Sequence, residues 1–570
     1  LPAHIQAFLL QPSILERLCG PLCDAVLGLE ADGADTTDAA YSQLLLREIE
    51  QRNLFLVALD DERRWYRYHQ LFADVLRERL ARGVARADIA QLHRRAGQWF
   101  ERHNLHAEAF RHALAAQDWE LATRLVEHAS SATVLGTMQH HQTLRSWLEA
   151  LPEQIVRERP RLCLLRARLA LLTDVAQASE WARHAEQALE SAAPPEATAS
   201  TRGEIAALRT GLAASQGAAA EAIQHAQQAL ADLDAANSGV RSEVMGYLAR
   251  AYLMQHDPGR AAKAFAEMAR LARRGGGDTG TFVPEANLAF LQRLQGQPFL
   301  ASQTCQRSLE QAAARGAGMA PDAAWVLAAR ADLLREANDL DAALACASDA
   351  VARARQLAVP NLSLLCTLVL ARVHAARGDA AQALALAGEP RVLGEQFRVV
   401  ALQPILQAFE AQLAIQSGNL AAAAALAGAE SALPQTARYW ISPIMVTYSH
   451  EHLAIAAAQV LLAQNRASAD ARHLQLAREL IEPLAAYAER EKLPWLRAKS
   501  LVLEALADAA RGDVPRALAL LSEALELAAA HGFVRVLLDE GAPIAALLTE
   551  LAHAGDARSA AHATALLAAL

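Results

Sequence analysis

The residues best suited to chemistry are Arg438-Tyr439-Trp440, followed by Tyr448, His450 and Glu451. Flat aromatic faces beside a few directed hydrogen-bonding groups suit recognition of a sugar or another polar metabolite, and contain no bond-breaking apparatus. A second group, Phe282, Glu285, Asn287 and Phe290, follows the glycine run 275–277; Trp325 and Arg330 come one repeat later. Aromatic side chains are also buried for area alone, so repeat core is the competing reading of each. The ligand-binding candidates are therefore Arg438, Tyr439, Trp440, Tyr448, His450 and Glu451, with Phe282, Glu285 and Trp325.

Catalytic and metal readings find no support. His450-Glu451-His452 invites zinc, but a zinc-protease helix needs His-Glu-x-x-His, and Ala454 stands where the second histidine belongs. The two histidines, two apart, point to different faces. Cys19 and Cys23 share a helical face, yet a structural site needs two further ligands, and burial is the ordinary fate of a free cysteine. His103, His106 and His112 read as a solvated amphipathic surface. The chain has no Gly-x-Ser-x-Gly elbow and no Gly-Lys dipeptide, hence no Walker A loop. The expectation is a binding protein, not an enzyme, with no catalytic residue, metal or cofactor.

What must position such residues is a repeat. Ten turn-like residues, Asp118, Asp174, Ala218, Asp257, Gln297, Asp339, Asp379, Asn419, Asn465 and Asp513, are each followed four residues later by alanine. From Ala218 the steps are 39, 40, 42, 40, 40, 46 and 48 residues. A fixed period with Gly-Asp or Gly-Asn punctuation marks a helical solenoid of helix, tight turn, helix. The turn residue stops one helix, and the alanine (Ala383 in the pair opened by Asp379) lets the next cross it closely. Such arrays mostly present binding surfaces. Loops are expected at Pro194-Pro195 and at 275–277, and a single Ala/Leu helix after Asp539.

The first 80 residues differ. Helical spacing over Ile5–Leu29, broken at Gly20-Pro21, is followed by a helix over Leu44–Arg52, a strand over Leu54–Leu59, a return strand at Trp65–His69 and a helix over Gln70–Leu80. Helix, helix, hairpin, helix is the order of a winged-helix module. Arg63, Arg64 and Arg67 sit on the hairpin, but Asp60, Asp61 and Glu62 would repel phosphate.

Across 570 residues the net charge is −9, which offers no basic excess to nucleic acid or anionic membrane. Six sparse cysteines fit a reducing, cytoplasmic setting, and no apolar stretch is long enough for a membrane span.

Several runs resemble the MalT-type, LuxR-family ATP-dependent transcriptional regulators: Phe8-Leu9-Leu10 with Ser13 through Val26, Asn53 through Val57 with Asp60 through His69, Leu71 through Leu76, and Gly532 through Gly541. The resemblance implies an all-α, TPR-like right-handed superhelix behind a small winged-helix module: residues 1–80 winged helix, 81–165 helical arm, 166–545 sensor superhelix, 546–570 a C-terminal helix or linker. It implies a piece of a longer regulator, with the ATPase and the DNA-reading helix-turn-helix outside it; ATP belongs to that motor. The expected partners are a small-molecule inducer, the ATPase domain of the same chain and, on activation, other copies, with no direct DNA or membrane binding. The alternative is a protein-binding TPR scaffold without a small ligand.

Overall fold

A computed structural model of the chain describes residues 3–29, 41–131, 138–171, 174–191, 195–255, 257–274, 282–314, 320–357, 360–396, 403–427, 449–554 and 556–569. Among the described residues the fold is all-α apart from one short hairpin. No helix among the described residues is long and apolar enough to cross a membrane. The chain divides into two compact units, residues 1–133, 139–172 and 180–193 in one, and 134–138, 173–179 and 194–570 in the other.

The first unit opens with helices Ala3–Leu10, Gly20–Leu27 and Tyr41–Gln51, strands β1 (Leu56–Ala58) and β2 (Tyr66–Tyr68), and helix Gln70–Gly83. The strands pair antiparallel, Leu56 opposite Tyr68, and Leu18 bridges to Tyr66 on the other side. Leu18, Leu22, Leu46, Ile49 and Tyr66 form a fully buried centre. Gly20-Pro21 starts a helix instead of breaking one, because proline at the first turn forfeits no hydrogen bond. Cys19 and Cys23 are buried there, and burial pushes both thiols up. At the hairpin tip the Asp60 carboxylate accepts the Arg64 backbone N–H at 2.7 Å, while Arg63 and Arg64 pair with Glu50 and Glu62.

The same unit corrects the reading of one histidine. His112 is not solvated: it is 5% exposed, its Nδ1 lies 2.8 Å from that of His93, and its ring stacks on Phe100.

The second unit is a stack of helix pairs: Pro195–Ser215 with Ala219–Asp232, Ser238–Met254 with Pro258–Arg274, Phe282–Leu294 with Pro298–Ala314, Ala324–Glu336 with Leu340–Leu357, Pro360–Ala376 with Ala380–Gln396, Gln403–Gln416 with Leu420–Ala427, Ser449–Ser468 with Ala471–Arg490, and Pro494–Ala510 with Val514–His531. The turns explain the period. Asp257, Asp379, Asn419 and Asp513 stand before the second helix of their pair, and their side chains accept the N–H three residues on, as N-caps do. The following alanine gives its N–H to the turn carbonyl, and Ala222, Ala261, Ala301, Ala343, Ala383, Ala423 and Ala517 are all wholly buried at the crossing. Gly378, Gly418 and Gly512 close the preceding helix with φ of 82°, 76° and 83°, where a side chain is disfavoured.

The register fails at one place. Asn465 lies inside helix Ser449–Ser468, and the turn falls at Ala469 (φ 56°) and Asp470. Asp470 caps the next helix and Leu474 takes the buried position of the alanine. Two further expectations change. Pro195 opens a helix, and the segment after Asp539 is two helices, Ala542–Ala554 and Ala557–Leu567, split by the Asp556 cap. The glycine run 275–277 lies outside the described residues.

Candidate ligand-binding site

Seven residues before the turn residues Gln297, Asp339, Asp379 and Asn419 stand Phe290, Asp332, Arg372 and Gln412, spaced 42, 40 and 40 residues apart. Equal spacing in a stacked repeat puts such residues on one row. Phe290, Asp332 and Arg372 all line a cleft of about 810 Å³, open mouth included, built from the first helices of the third to seventh pairs. Its walls are apolar: Ala286, Ala289, Trp325, Ala328, Leu365, Leu368, Val369 and Ile405. Asn287, Arg293, Asp332, Arg372 and His452 supply polar groups.

Arg293 is 2% exposed and is held between two rings, its Cζ 5.3 Å from the centres of both Phe290 and Trp495. Asp332 accepts Arg372 Nη1 at 3.1 Å and Arg335 Nε at 3.4 Å, with Arg293 Nη2 at 3.6 Å. Burial alone would raise the Asp332 carboxyl, but Arg372, Arg293 and Arg335 outweigh it and hold the group below the carboxylate range. His452 is pushed down to about 3, first by burial and then by Arg372 and Arg293, so it is a neutral imidazole at physiological pH.

A second charged layer adjoins the cleft and shares Arg372, Ile405 and His452 with it. Here the third and fourth pairs meet the eighth and the short helix Arg535–Leu538 that follows it. Arg335 Nη1 donates to Asp539 Oδ2 at 2.9 Å, the Val534 N–H reaches the Glu336 carbonyl at 3.1 Å, and His531 Nδ1 lies 2.7 Å from the Gly296 carbonyl. Lys499 pairs with Glu540, which also accepts Gln459 Nε2 at 2.6 Å, and Gln459 in turn accepts Gln412 Nε2 at 3.0 Å. Arg535 pairs with Asp539 at 2.7 Å. Among the described residues paired here, Arg293, Arg335, Arg372, Lys499 and Arg535 face Asp332, Glu336, Asp539 and Glu540, one positive charge in excess.

The residues expected from sequence fall as follows. Trp325 forms part of the cleft wall, 5% exposed, and Asn287 and Phe290 line it too. Phe282 is wholly buried in the apolar core with Ala301 and Cys305. Glu285 is buried, pairs with Arg273 at 2.6 Å, and is not among the cleft residues; burial pushes its carboxyl up. Arg438, Tyr439, Trp440 and Tyr448, and the side chains of His450 and Glu451, lie outside the described residues. Their neighbour His452 does line the cleft. Sequence reasoning missed Arg293, Asp332, Arg372 and His452. The available signal was the row itself, charged residues recurring at the repeat period where an apolar first helix should be.

Residues 203–554 match the family described as the MalT-like TPR region, and residues 1–88 the MalT winged helix domain. The chain belongs to the MalT-like family. The HTH-type transcriptional regulator MalT of Klebsiella pneumoniae (strain 342) is 29% identical over 397 residues, 67% of this chain and 40% of that protein. The serine/threonine-protein kinase PknK of Mycobacterium tuberculosis (strain CDC 1551 / Oshkosh) is 38% identical over 211 residues, 37% of this chain and 18% of the kinase. The MalT-like chain thus spans well under half the length of these curated relatives. Among solved structures, the STAND protein with a tetratricopeptide repeat sensor, PH0952 from Pyrococcus horikoshii, aligns over 86% of this chain and 65% of its own at 14% identity and a TM-score of 0.37, too loose a likeness to carry a functional argument.

Proposed function

We propose that this chain is the sensing and regulatory portion of a MalT-like, ATP-dependent transcriptional activator. A small-molecule inducer binds in the cleft between the third and seventh helix pairs and relieves restraint on an ATPase motor elsewhere in the full-length protein. The chain itself is non-catalytic, works in the cytoplasm, and leaves ATP and DNA to other domains. The observation that carries the reading is the cleft: aromatic and aliphatic walls with a few fixed polar groups, the usual make-up of a small-molecule site. A shallow, charged groove would have favoured a protein scaffold instead.

Shifting a regulator from 1:99 to 99:1 takes about 5.5 kcal/mol of preferential binding. A ligand touching several pairs at once, as one seated in this cleft must, has the contacts to reach that figure. The test is a thermal-shift screen of the chain against a metabolite library, repeated with Trp325→Ala. A hit that raises Tm saturably in the parent and loses affinity in the variant supports the reading. A library without hits, beside a tight complex with a protein partner, overturns it in favour of the scaffold.

A further inference from the structure

The cleft's polar groups carry more information than its size. Arg293 is almost wholly buried, yet among the described residues no hydrogen-bond partner reaches its Nε or Nη1. Its nearest carboxylates, Asp332 at 3.6 Å and Glu336 at 3.9 Å, stand beyond hydrogen-bond reach. Both are also committed elsewhere. Asp332 answers Arg372 and Arg335, and Glu336 accepts the Val536 N–H and the Trp495 indole. Buried guanidinium donors without acceptors are costly, and proteins seldom keep them without a use. Arg372, one-fifth exposed, lines the same cleft, and among the described residues its Nη1 donates to Asp332.

We propose that the cleft takes a small organic anion, a carboxylate or phosphate monoester on an apolar or aromatic body, with its acidic head on Arg293 and Arg372. This rests on the sensor reading above and adds the chemical class of ligand. A carboxylate or a phosphate head can accept two N–H groups from one guanidinium, the charge-assisted pairing that arginine is best built for. The positive excess of the two charged layers favours an anion over a neutral or cationic guest. The ligand's body lies against Trp325, Leu365 and Leu368, apolar surface that would not solvate a second charge. His452, neutral there, offers one ring nitrogen but no charge to the guest.

The test is calorimetric titration of the chain with benzoate, indole-3-acetate and phenyl phosphate, each beside a neutral counterpart: benzamide, indole-3-acetamide and benzyl alcohol. At least one acid should bind saturably and its neutral counterpart about tenfold more weakly or worse, the discrimination expected of charge-assisted hydrogen bonds. Arg293→Met and Arg372→Met should each lose the acid by a similar factor. Arg377→Met, whose partner Asp341 lies on the exposed surface, should not. If Arg293→Met fails to fold, Arg372→Met carries the comparison. Neutral compounds binding as well as their acids, or acids indifferent to both variants, would overturn the anion while leaving a sensor. No acid binding, together with no hit from a general metabolite screen, would overturn both.

Discussion

Glu336 and Val536 lie 200 residues apart in the chain, and the Glu336 carboxylate accepts the Val536 backbone N–H at 2.9 Å. Its other oxygen takes the indole N–H of Trp495 at 3.2 Å, and its own carbonyl takes the N–H of Val534. One buried acid in the fourth helix pair thereby fastens the eighth.

Glu336→Ala should destabilise the chain by ~3–5 kcal/mol, because it strands two buried donors and the arginines beside them. Glu336→Gln, which keeps one acceptor, should recover part of the loss. Urea denaturation is the check, with the exposed Glu153→Ala as control; equal midpoints for Glu336→Ala and the control would refute the fastening.

Two glycines make a controlled pair. Gly296 and Gly378 both occupy the left-handed region, with φ of 74° and 82°. A Cβ on Gly378 meets nothing, whereas one on Gly296 comes within 2.6–2.8 Å of the His531 ring and Pro494. Gly378→Ala should cost ~1–2 kcal/mol for the backbone alone. Gly296→Ala should add the ~1–3 kcal/mol of an overpacked contact. Melting temperatures that fall equally would mean the third and eighth pairs do not touch.

Ala383 is wholly buried at the crossing of its pair, and Ala380 in the same helix is exposed. Ala383→Leu should destabilise by ~1–3 kcal/mol and Ala380→Leu by well under 1 kcal/mol. Denaturant midpoints that fail to separate the two would undo the helix-crossing role given to the repeat's alanine.

His112 sets a pH dependence in the first unit. Burial, then His93 and Arg111, push its pKa from 6.5 down to about 3, and burial lowers His93 as well. Between those values the unfolded chain holds more protons than the folded one. The contribution is therefore complete above about pH 6.5 and is lost as pH falls toward 3. Between pH 7 and pH 5 the loss should be about 2 kcal/mol for this one group. His112→Phe should flatten that slope in urea denaturation; an unchanged slope would assign the acid sensitivity elsewhere.

The turns could be read directly because their chemistry is local. An Asp or Asn cap and an alanine four residues on belong to one stretch of backbone, as at Asp379 and Ala383. The miss at Asn465 has a physical cause: Asn465 sits within a longer helix and its amide donates to the Asp470 carbonyl, so it serves the turn from inside the helix. The cleft was less legible. Asp332 and Arg372 look like ordinary solvated helix charges until stacking sets them 3.1 Å apart, and the partner of Arg335 is 204 residues away. The period held enough to align Asp332 with Arg372. It held nothing to show that Asp539 would meet Arg335. His112 failed for a similar reason, since only the fold brings His93 to it.

Helical-repeat arrays ordinarily behave as one-dimensional chains: each unit touches its neighbours, folding can start anywhere, and an end can fray while the middle stays intact. The links from Gly296 and Glu336 to His531, Val534 and Val536 remove that freedom. The span from the third pair to the eighth is closed by its own last members, so it should melt as one cooperative block. Deleting the eighth pair would then cost more than one terminal unit, because the third and fourth pairs would lose partners they cannot find nearby. A disturbance at the middle of the array would likewise be felt at its far end without crossing the pairs between.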